Sequence, residues 1–163
     1  MADGSLVEEL SLLLWREREL LDTLLFKLEL EQLVLSSGRT RWLARSAREV
    51  EAALEAIRET EVLRAGAAEA VAAELGLDPD PSLRALADAA GEPWSTILHE
   101  HRDAFLTVTG EIRQLADTNR ELITNGQRAA REMLMDITDK DTYREDGGAD
   151  TSAVRPRYFD QDL

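Results

Sequence analysis

The sequence predicts an all-α fold: an elongated antiparallel bundle of three long helices with coiled-coil character, a short connector helix and a mobile C-terminal tail. Apolar residues recur at alternating intervals of three and four over long segments, which is the spacing of one buried helical face. Prolines and the helix-ending glycines Gly38, Gly76 and Gly91 fall between those segments. At 163 residues the chain is long enough to bury a core as a single domain.

The first two helices are predicted over about 5–36 and about 40–75. Gly38 and Gly76 follow them, and glycine readily adopts the left-handed conformation that ends a helix. A turn this short makes the two helices antiparallel neighbours. The predicted inward stripe of the second helix is Leu43, Ala47, Val50, Leu54, Ile57, Glu61, Arg64, Ala68, Val71 and Leu75.

A connector helix is predicted over about 81–90, because Asp80 fits its N-cap, Pro81 its first turn and Gly91 its C-cap. The last long helix is predicted over about 93–138. Beyond residue 139 the sequence has no period and little apolar content, so 1–139 is predicted as the bundle domain and 140–163 as a flexible tail. The predicted stripe of the last helix is Trp94, Leu98, His101, Phe105, Val108, Ile112, Leu115, Asn119, Leu122, Gly126, Ala129 and Met133.

The last helix is predicted to be longer than its partners. At 1.5 Å per residue the first two helices are each about 50 Å long and the last is about 70 Å. If its start is level with the start of the first helix, residues around Ala129 to Thr138 extend past the bundle. An exposed apolar patch with flexible methionines is typical of a partner-binding surface, although folding back and dimerisation are alternatives. The patch comprises Met133, Leu134, Met135 and Ile137.

Glu17 has leucines three, four and seven positions away on either side of it in the first helix. A carboxylate in such apolar surroundings raises the possibility of a catalytic acid. A catalytic carboxylate needs a second acid or base and a cleft, and the sequence offers neither. In an antiparallel hairpin the facing stretch of the second helix contains Arg58 and Arg64. We therefore expect Glu17, Arg58 and Arg64 to form a structural polar layer that fixes helix register at some cost in stability.

Composition and motifs exclude several classes of function. The formal net charge of −14 argues against nucleic-acid binding, and no apolar run is long enough for membrane insertion. The chain has no cysteine, and His99 and His101 point to different faces of one helix, so no metal site is expected. No glycine-rich loop or paired nucleophile and base is present. We expect no enzymatic activity, no cofactor and no small-molecule substrate.

Arg41, Arg45 and Arg48 form the sharpest basic cluster and fall on one helical face. Such a cluster can bind a phosphate or an acidic partner. Nearby glutamates, among them Glu49, favour a solvated face with ordinary surface ion pairs.

Four stretches of the sequence have the features of a known family: LLLWRERELLDTLLFKLELEQ, AAELGLDPDPSLRALADAAG, LADTNRELITNG and DTYREDGG. They resemble segments of the flagellar export chaperones of the FlgN type. The first stretch is similar to that family's opening helix, and the second to its helix end and connector. The most specific resemblance lies in LADTNRELITNG and DTYREDGG. There Asn119 and Leu122 match an Asn-containing segment of the family's last helix, and Tyr143 with Gly147 matches a short Tyr-to-Gly motif after it.

The resemblance implies a cytoplasmic chaperone of the flagellar type III secretion system. Such chaperones bind the helical terminal segments of hook-filament junction proteins and bring them to the export gate. Carried over to this chain, the resemblance makes the C-terminal part of the last helix the substrate-binding element and Tyr143 a candidate contact with the export gate. The predicted partner-binding residues are Asn119, Leu122, Ile123, Met133, Leu134 and Ile137.

The alternative is a homodimeric coiled-coil adaptor or structural protein without an export role. It would associate through the same apolar patch at the end of the last helix, and it would leave the Asn-containing and Tyr-to-Gly motifs unexplained.

Overall fold

The computed structural model describes residues 4–147, with side chains described as far as residue 143. Over this range the chain is helical without a strand, which confirms the predicted all-α fold. One turn of 3₁₀ helix, Thr40–Trp42, lies directly before the second long helix. The helices are α1 (Gly4–Ser37), α2 (Leu43–Leu75), α3 (Leu83–Ala89) and α4 (Trp94–Gly147).

Glycines end α1 and α2 as the sequence predicts. Gly38 has φ +69° and Gly76 has φ +68°, both in the left-handed region that a side chain disfavours. At the second of these ends the N–H of Leu77 donates to the carbonyl of Ala72 over 2.9 Å, which satisfies one of the last free carbonyls of α2.

Two predicted boundaries are corrected. The connector α3 begins at Leu83 instead of residue 81, because Ser82 is its N-cap and accepts a hydrogen bond from the N–H of Ala85 over 3.0 Å. The last helix does not end near Thr138 but continues to Gly147. The segment up to Gly147 was thus wrongly assigned to a flexible tail, and the rest of that predicted tail lies outside the described residues.

Side-chain pairs show that α1 and α2 run in opposite directions. Glu17 near the middle of α1 pairs with Arg64, whereas Lys27 further along α1 pairs with Glu49 near the start of α2. The sequence number therefore rises along one helix as it falls along the other.

The helices α1 and α4 run in the same direction. Ser11 contacts His101 near the start of both helices, and the Leu28 carbonyl contacts Asn119 further along both. Since α1 packs against both α2 and α4, it is the central long helix, while α3 packs on α4 and α2.

Two apolar clusters hold these helices together. The first lies at the α3 end and joins all four helices, whereas the second lies midway along the long helices. Among the described residues no helix has the length and apolar content to cross a bilayer. The buried residues of the first cluster are Val7, Leu10, Leu14, Val71, Ala72, Leu86, Ala87, Ala90 and Leu98. Those of the second are Leu21, Leu24, Leu28, Ala53, Ile57 and Val108.

Candidate functional site

The last helix extends well beyond the end of α1. Asn119 is level with Leu28, and α1 ends nine residues later at Ser37. From about residue 128 onward α4 therefore extends past the end of α1, its main packing partner. Exposure begins even earlier, because every described side chain after Leu122 is exposed except that of Ile137, which is half-buried. We call residues 123–147 of α4 the overhang, and at 1.5 Å per residue it is about 37 Å long.

The overhang carries several large apolar side chains that the rest of the described chain leaves exposed. Leu134 is 59% exposed and Met135 is 63% exposed, with Met133 and Ile123 also on the surface. Ile137 follows Asn119 by five helical turns, so it lies on the same side of α4 as Asn119, which is the side that faces α1. The apolar surface of the overhang is thus mainly an extension of the packed face of α4 beyond the end of α1.

Asn119 has a different environment from the other predicted partner-binding residues. It is 2% exposed, and its Nδ2 donates to the Leu28 carbonyl over 2.9 Å and to Oε1 of Glu31 over 3.1 Å. A side chain enclosed by α1 in this way has no surface for a partner. The predicted partner-binding role of Asn119 is therefore corrected to the packing of α4 against α1, while Leu122, half-buried, marks where that packing ends.

A groove of about 410 Å³ lies where the overhang leaves the α1–α2 turn. On the α4 side its lining includes Ile123, Gly126 and Ala130, and on the turn side Leu35 and Leu43. The sequence-based prediction included Leu122 and Ile123 of this lining but did not find the groove, because periodicity along one helix carries no information about a turn that packs beside it. The complete lining is Val34, Leu35, Gly38, Thr40, Leu43, Leu122, Ile123, Gly126, Gln127 and Ala130.

Tyr143 lies on α4 near the end of the overhang and is 81% exposed. The sequence placed it in a flexible tail after the helix, so its helical position is a correction. An exposed phenol on a helix surface presents both a ring and a hydroxyl to a partner.

The polar layer inside the helices joins Glu17 to Arg64. Nη1 of Arg64 donates to Oε1 of Glu17 over 3.2 Å and lies 3.0 Å from Oε2, without hydrogen-bond geometry to the second oxygen. Arg58, the third predicted member, instead pairs with Glu55 at the surface over 3.3 Å, so its assignment to the layer was wrong.

Glu17 is the buried member of this pair. Its side chain is 4% exposed, whereas that of Arg64 is 37% exposed and its guanidinium reaches water. Burial raises the pKa of the Glu17 carboxyl, the positive charge of Arg64 opposes the rise, and the negative charge of Glu61 adds to it. Among the described side chains only Arg64 forms a hydrogen bond with this carboxylate, so the arrangement has the form of a structural ion pair.

His101 belongs to a second buried polar group, between α1 and α4. Its Nε2 lies 3.2 Å from the Ser11 hydroxyl, its Nδ1 lies 3.4 Å from Nη1 of Arg18, and its ring meets Trp15 edge-on at 4.9 Å. Burial, with a smaller contribution from the charge of Arg18, lowers the pKa of His101 to about 4. Because a guanidinium only donates, the network assigns the acceptor to Nδ1 and the proton to Nε2, which then donates to Ser11.

Within residues 4–143 no three histidine or acidic side chains converge as metal ligands would. The basic cluster at the start of α2 is partly paired, since Arg45 donates to Glu49 over 3.2 Å and Arg41 stacks on Trp42 with 4.7 Å between guanidinium carbon and ring centre.

Comparison with protein-family models assigns the chain. The model described as FlgN protein matches residues 1–151, which includes all of the helices and the overhang. The chain belongs to the FlgN family. FlgN proteins are chaperones of flagellar export and not a family of enzymes, and membership implies binding of flagellar hook-associated proteins. Comparisons with curated proteins and with solved structures gave no significant match.

Proposed function

We propose that this FlgN-family chain acts in the cytoplasm, binds hook-filament junction proteins through the overhang of α4, and delivers them to the flagellar type III export apparatus. The observation that carries the proposal is the exposed apolar surface that begins at Leu122, near the end of α1, and continues along α4 beyond it. Exposed apolar surface of this kind on an otherwise charged chain is the usual mark of a partner site.

The shape of the surface favours a helical segment as the bound substrate. Its apolar residues, from Leu122 to Ile137, cover about 22 Å along α4, or about four turns of an opposing helix. An amphipathic helix bound along this surface would pack on α4 as α1 does over the preceding residues of α4, and it would bury its own apolar face there. The partner-binding residues that we propose are Leu122, Ile123, Met133, Leu134 and Ile137.

Methionine at the centre of the surface suits a chaperone for more than one substrate. The side chain of Met133 is unbranched and polarizable, so it adjusts its shape to different opposing residues. The formal net charge of −14 keeps the chain in solution while this apolar surface is exposed.

Tyr143 is proposed as a contact with the export gate. It lies beyond Ile137, the last apolar residue of the substrate surface, and it is far more exposed than the residues proposed to bind substrate. This separation along α4 would allow a substrate helix and an export-gate component to be bound at the same time.

The proposal is tested by measuring the binding of C-terminal fragments of the same organism's hook-filament junction proteins. The full chain is compared with a variant truncated after Arg128 and with the double substitution Met133→Asp, Leu134→Asp. Both changes remove exposed apolar surface, so binding should be lost while the far-ultraviolet circular dichroism remains helical. Equal binding by the full and the truncated chain would show that the overhang is not the site.

A homodimeric adaptor would use the same apolar surface for a second copy. Light scattering across a wide range of chain concentrations separates the two functions, because a chaperone without substrate should remain largely monomeric. A dimer that persists upon dilution and excludes the junction-protein fragments would favour the adaptor.

A further inference from the structure

We propose that the groove beside Gly126 is the anchor pocket of the substrate surface and that it takes one large apolar side chain from an amphipathic helix with acidic flanks. This inference rests on the proposed function and adds to it a second wall, formed by the α1–α2 turn, and a chemical preference in the substrate. The substrate helix would thus be held between two parts of the chain instead of lying on α4 alone.

Gly126 leaves the α4 side of the groove open. A Cβ built on Gly126 meets no atom within 4 Å, and the next residue on the same side one turn later is Ala130. Large side chains at these two positions would fill the space of about 410 Å³ that the groove provides. Because Gly126 has no side chain and Ala130 has only a methyl group, an incoming side chain can reach the backbone of α4.

The opposite wall comes from the end of α1 and the start of α2. Val34 and Leu35 precede Gly38, and Leu43 follows the 3₁₀ turn, so the turn directs apolar side chains toward α4 from both of its ends. A pocket with apolar walls on two sides removes more of an anchor side chain from water than a single helix face does, and binding energy concentrates on such enclosed anchors.

Charge around the groove indicates the flanks of the substrate helix. Residues 37–48 contain four arginines and no acidic residue, and residues 120–131, at the same level on α4, contain three arginines and one glutamate. All seven arginines are exposed. Only Arg45 and Arg120 have a carboxylate at ion-pair distance among the described residues. A chain with a formal net charge of −14 thus has a cationic zone around this groove.

A cationic zone also argues against a second copy of the chain as the occupant. A two-fold symmetric contact would place this zone of one copy against the same zone of the other, and like charges oppose such an approach. A helix with acidic residues on either side of its apolar stripe fits both the groove and the zone around it.

The test fills the groove without disturbing the fold. Gly126→Leu places a side chain in open space on an exposed helical position, and leucine favours a helix more than glycine does, so thermal stability should be unchanged or raised. Gly110→Leu is the matched control, because Gly110 also lies on α4 with nothing within 4 Å of a built Cβ but does not line this groove. Affinity for the junction-protein fragments is measured by isothermal titration calorimetry.

Gly126→Leu should weaken binding by roughly tenfold or more, the scale of losing one buried large side chain, while Gly110→Leu should bind as the natural chain does. Unchanged affinity in Gly126→Leu, or an equal loss in both variants, would overturn the anchor pocket. If the natural chain binds and Met133→Asp, Leu134→Asp does not, the proposed function survives that outcome. If the natural chain fails to bind any junction-protein fragment, the proposed function and the anchor pocket are both refuted.

A second arm tests the charge preference. The double substitution Arg39→Glu, Arg41→Glu reverses the charge of the two residues that flank Thr40 of the groove. The control Arg16→Glu, Arg113→Glu makes the same change in net charge at exposed positions elsewhere. The first pair should weaken binding by about tenfold at low salt and reduce its salt dependence, because it removes attraction to acidic flanks. Equal effects of the two pairs would show that only net charge matters and would overturn the inferred acidic flanks.

Discussion

The ion pair between Glu17 and Arg64 should respond very differently to the loss of either partner. Glu17→Leu removes the buried charge, replaces it with an apolar side chain, and leaves Arg64, already 37% exposed, able to turn toward water. Replacing a buried charge in this way is neutral or stabilising, here by about 1 kcal/mol. Arg64→Met leaves a carboxylate that is 4% exposed without a partner, and we expect a loss of about 2 kcal/mol after allowing for the exposure of the arginine.

Dependence on pH distinguishes this mechanism from a simple packing defect. Burial raises the pKa of Glu17, so the ionised carboxylate destabilises the fold, and the stability that protonation restores is present at low pH and lost as pH rises through the folded pKa. Without Arg64 the pKa should rise further. The deficit of Arg64→Met relative to Glu17→Leu should therefore shrink between pH 7 and pH 5.

Urea unfolding followed by circular dichroism at both pH values measures these differences in the free energy of unfolding. In a thermal melt each kcal/mol would correspond to a shift of about 3 °C in melting temperature. Arg58→Met is the matched control, because Arg58 pairs with Glu55 at the surface, and it should change stability by less than about 0.5 kcal/mol. Equal losses from Arg64→Met and Glu17→Leu, or a deficit that does not change with pH, would refute the reasoning.

Three other features of the structure give further predictions. His101, whose pKa is lowered to about 4, stays neutral in the fold while the unfolded chain gains a proton below about pH 6.5, so stability should fall by up to about 3 kcal/mol as pH drops to 4. Urea unfolding of His101→Gln should lack this fall and that of His99→Gln should keep it. Asn119→Ala should lower the free energy of unfolding by about 1–2 kcal/mol but leave fragment affinity unchanged, because the lost hydrogen bonds go to α1; a specific loss of affinity would contradict its buried position. Tyr143→Ala should leave stability and substrate binding unchanged and reduce export of the junction proteins, and normal export would remove Tyr143 from the proposed gate contact.

The helices and most of their ends could be predicted from the sequence because local chemistry sets them. Gly38 and Gly76 end helices through their own backbone conformation, and the regular stripe of α4 is buried or half-buried from Leu98 to Asn119 as its spacing requires. The end of α4 could not be predicted in this way. The predicted stripe stops at Met133, but a helix can continue through polar residues beyond its apolar face, as α4 does to Gly147.

The contact face of α2 was predicted less well, because an alternating spacing of threes and fours was taken as the guide to burial. The predicted stripe includes Ala47 and Glu61, which are exposed, whereas the neighbouring Ser46 and Thr60 are buried. Small side chains let two helices approach closely, so they are enclosed although they contribute little apolar surface. Spacing along one helix therefore misses part of such a contact, although it placed Arg64, the partner of Glu17, on the inward stripe.

The overhang has a consequence for how the chain exchanges its backbone hydrogens with water. An isolated helix of this length is marginal because forming its first turn is costly, but here the packed part of α4 supplies that turn and the overhang only extends it. Its helicity should then decline gradually from Ile123 toward Gly147, with amide protection falling in the same order. A bound helix would stop that decline, so the occupied stretch of α4 could be read residue by residue from slowed hydrogen exchange, even for a substrate whose sequence is unknown.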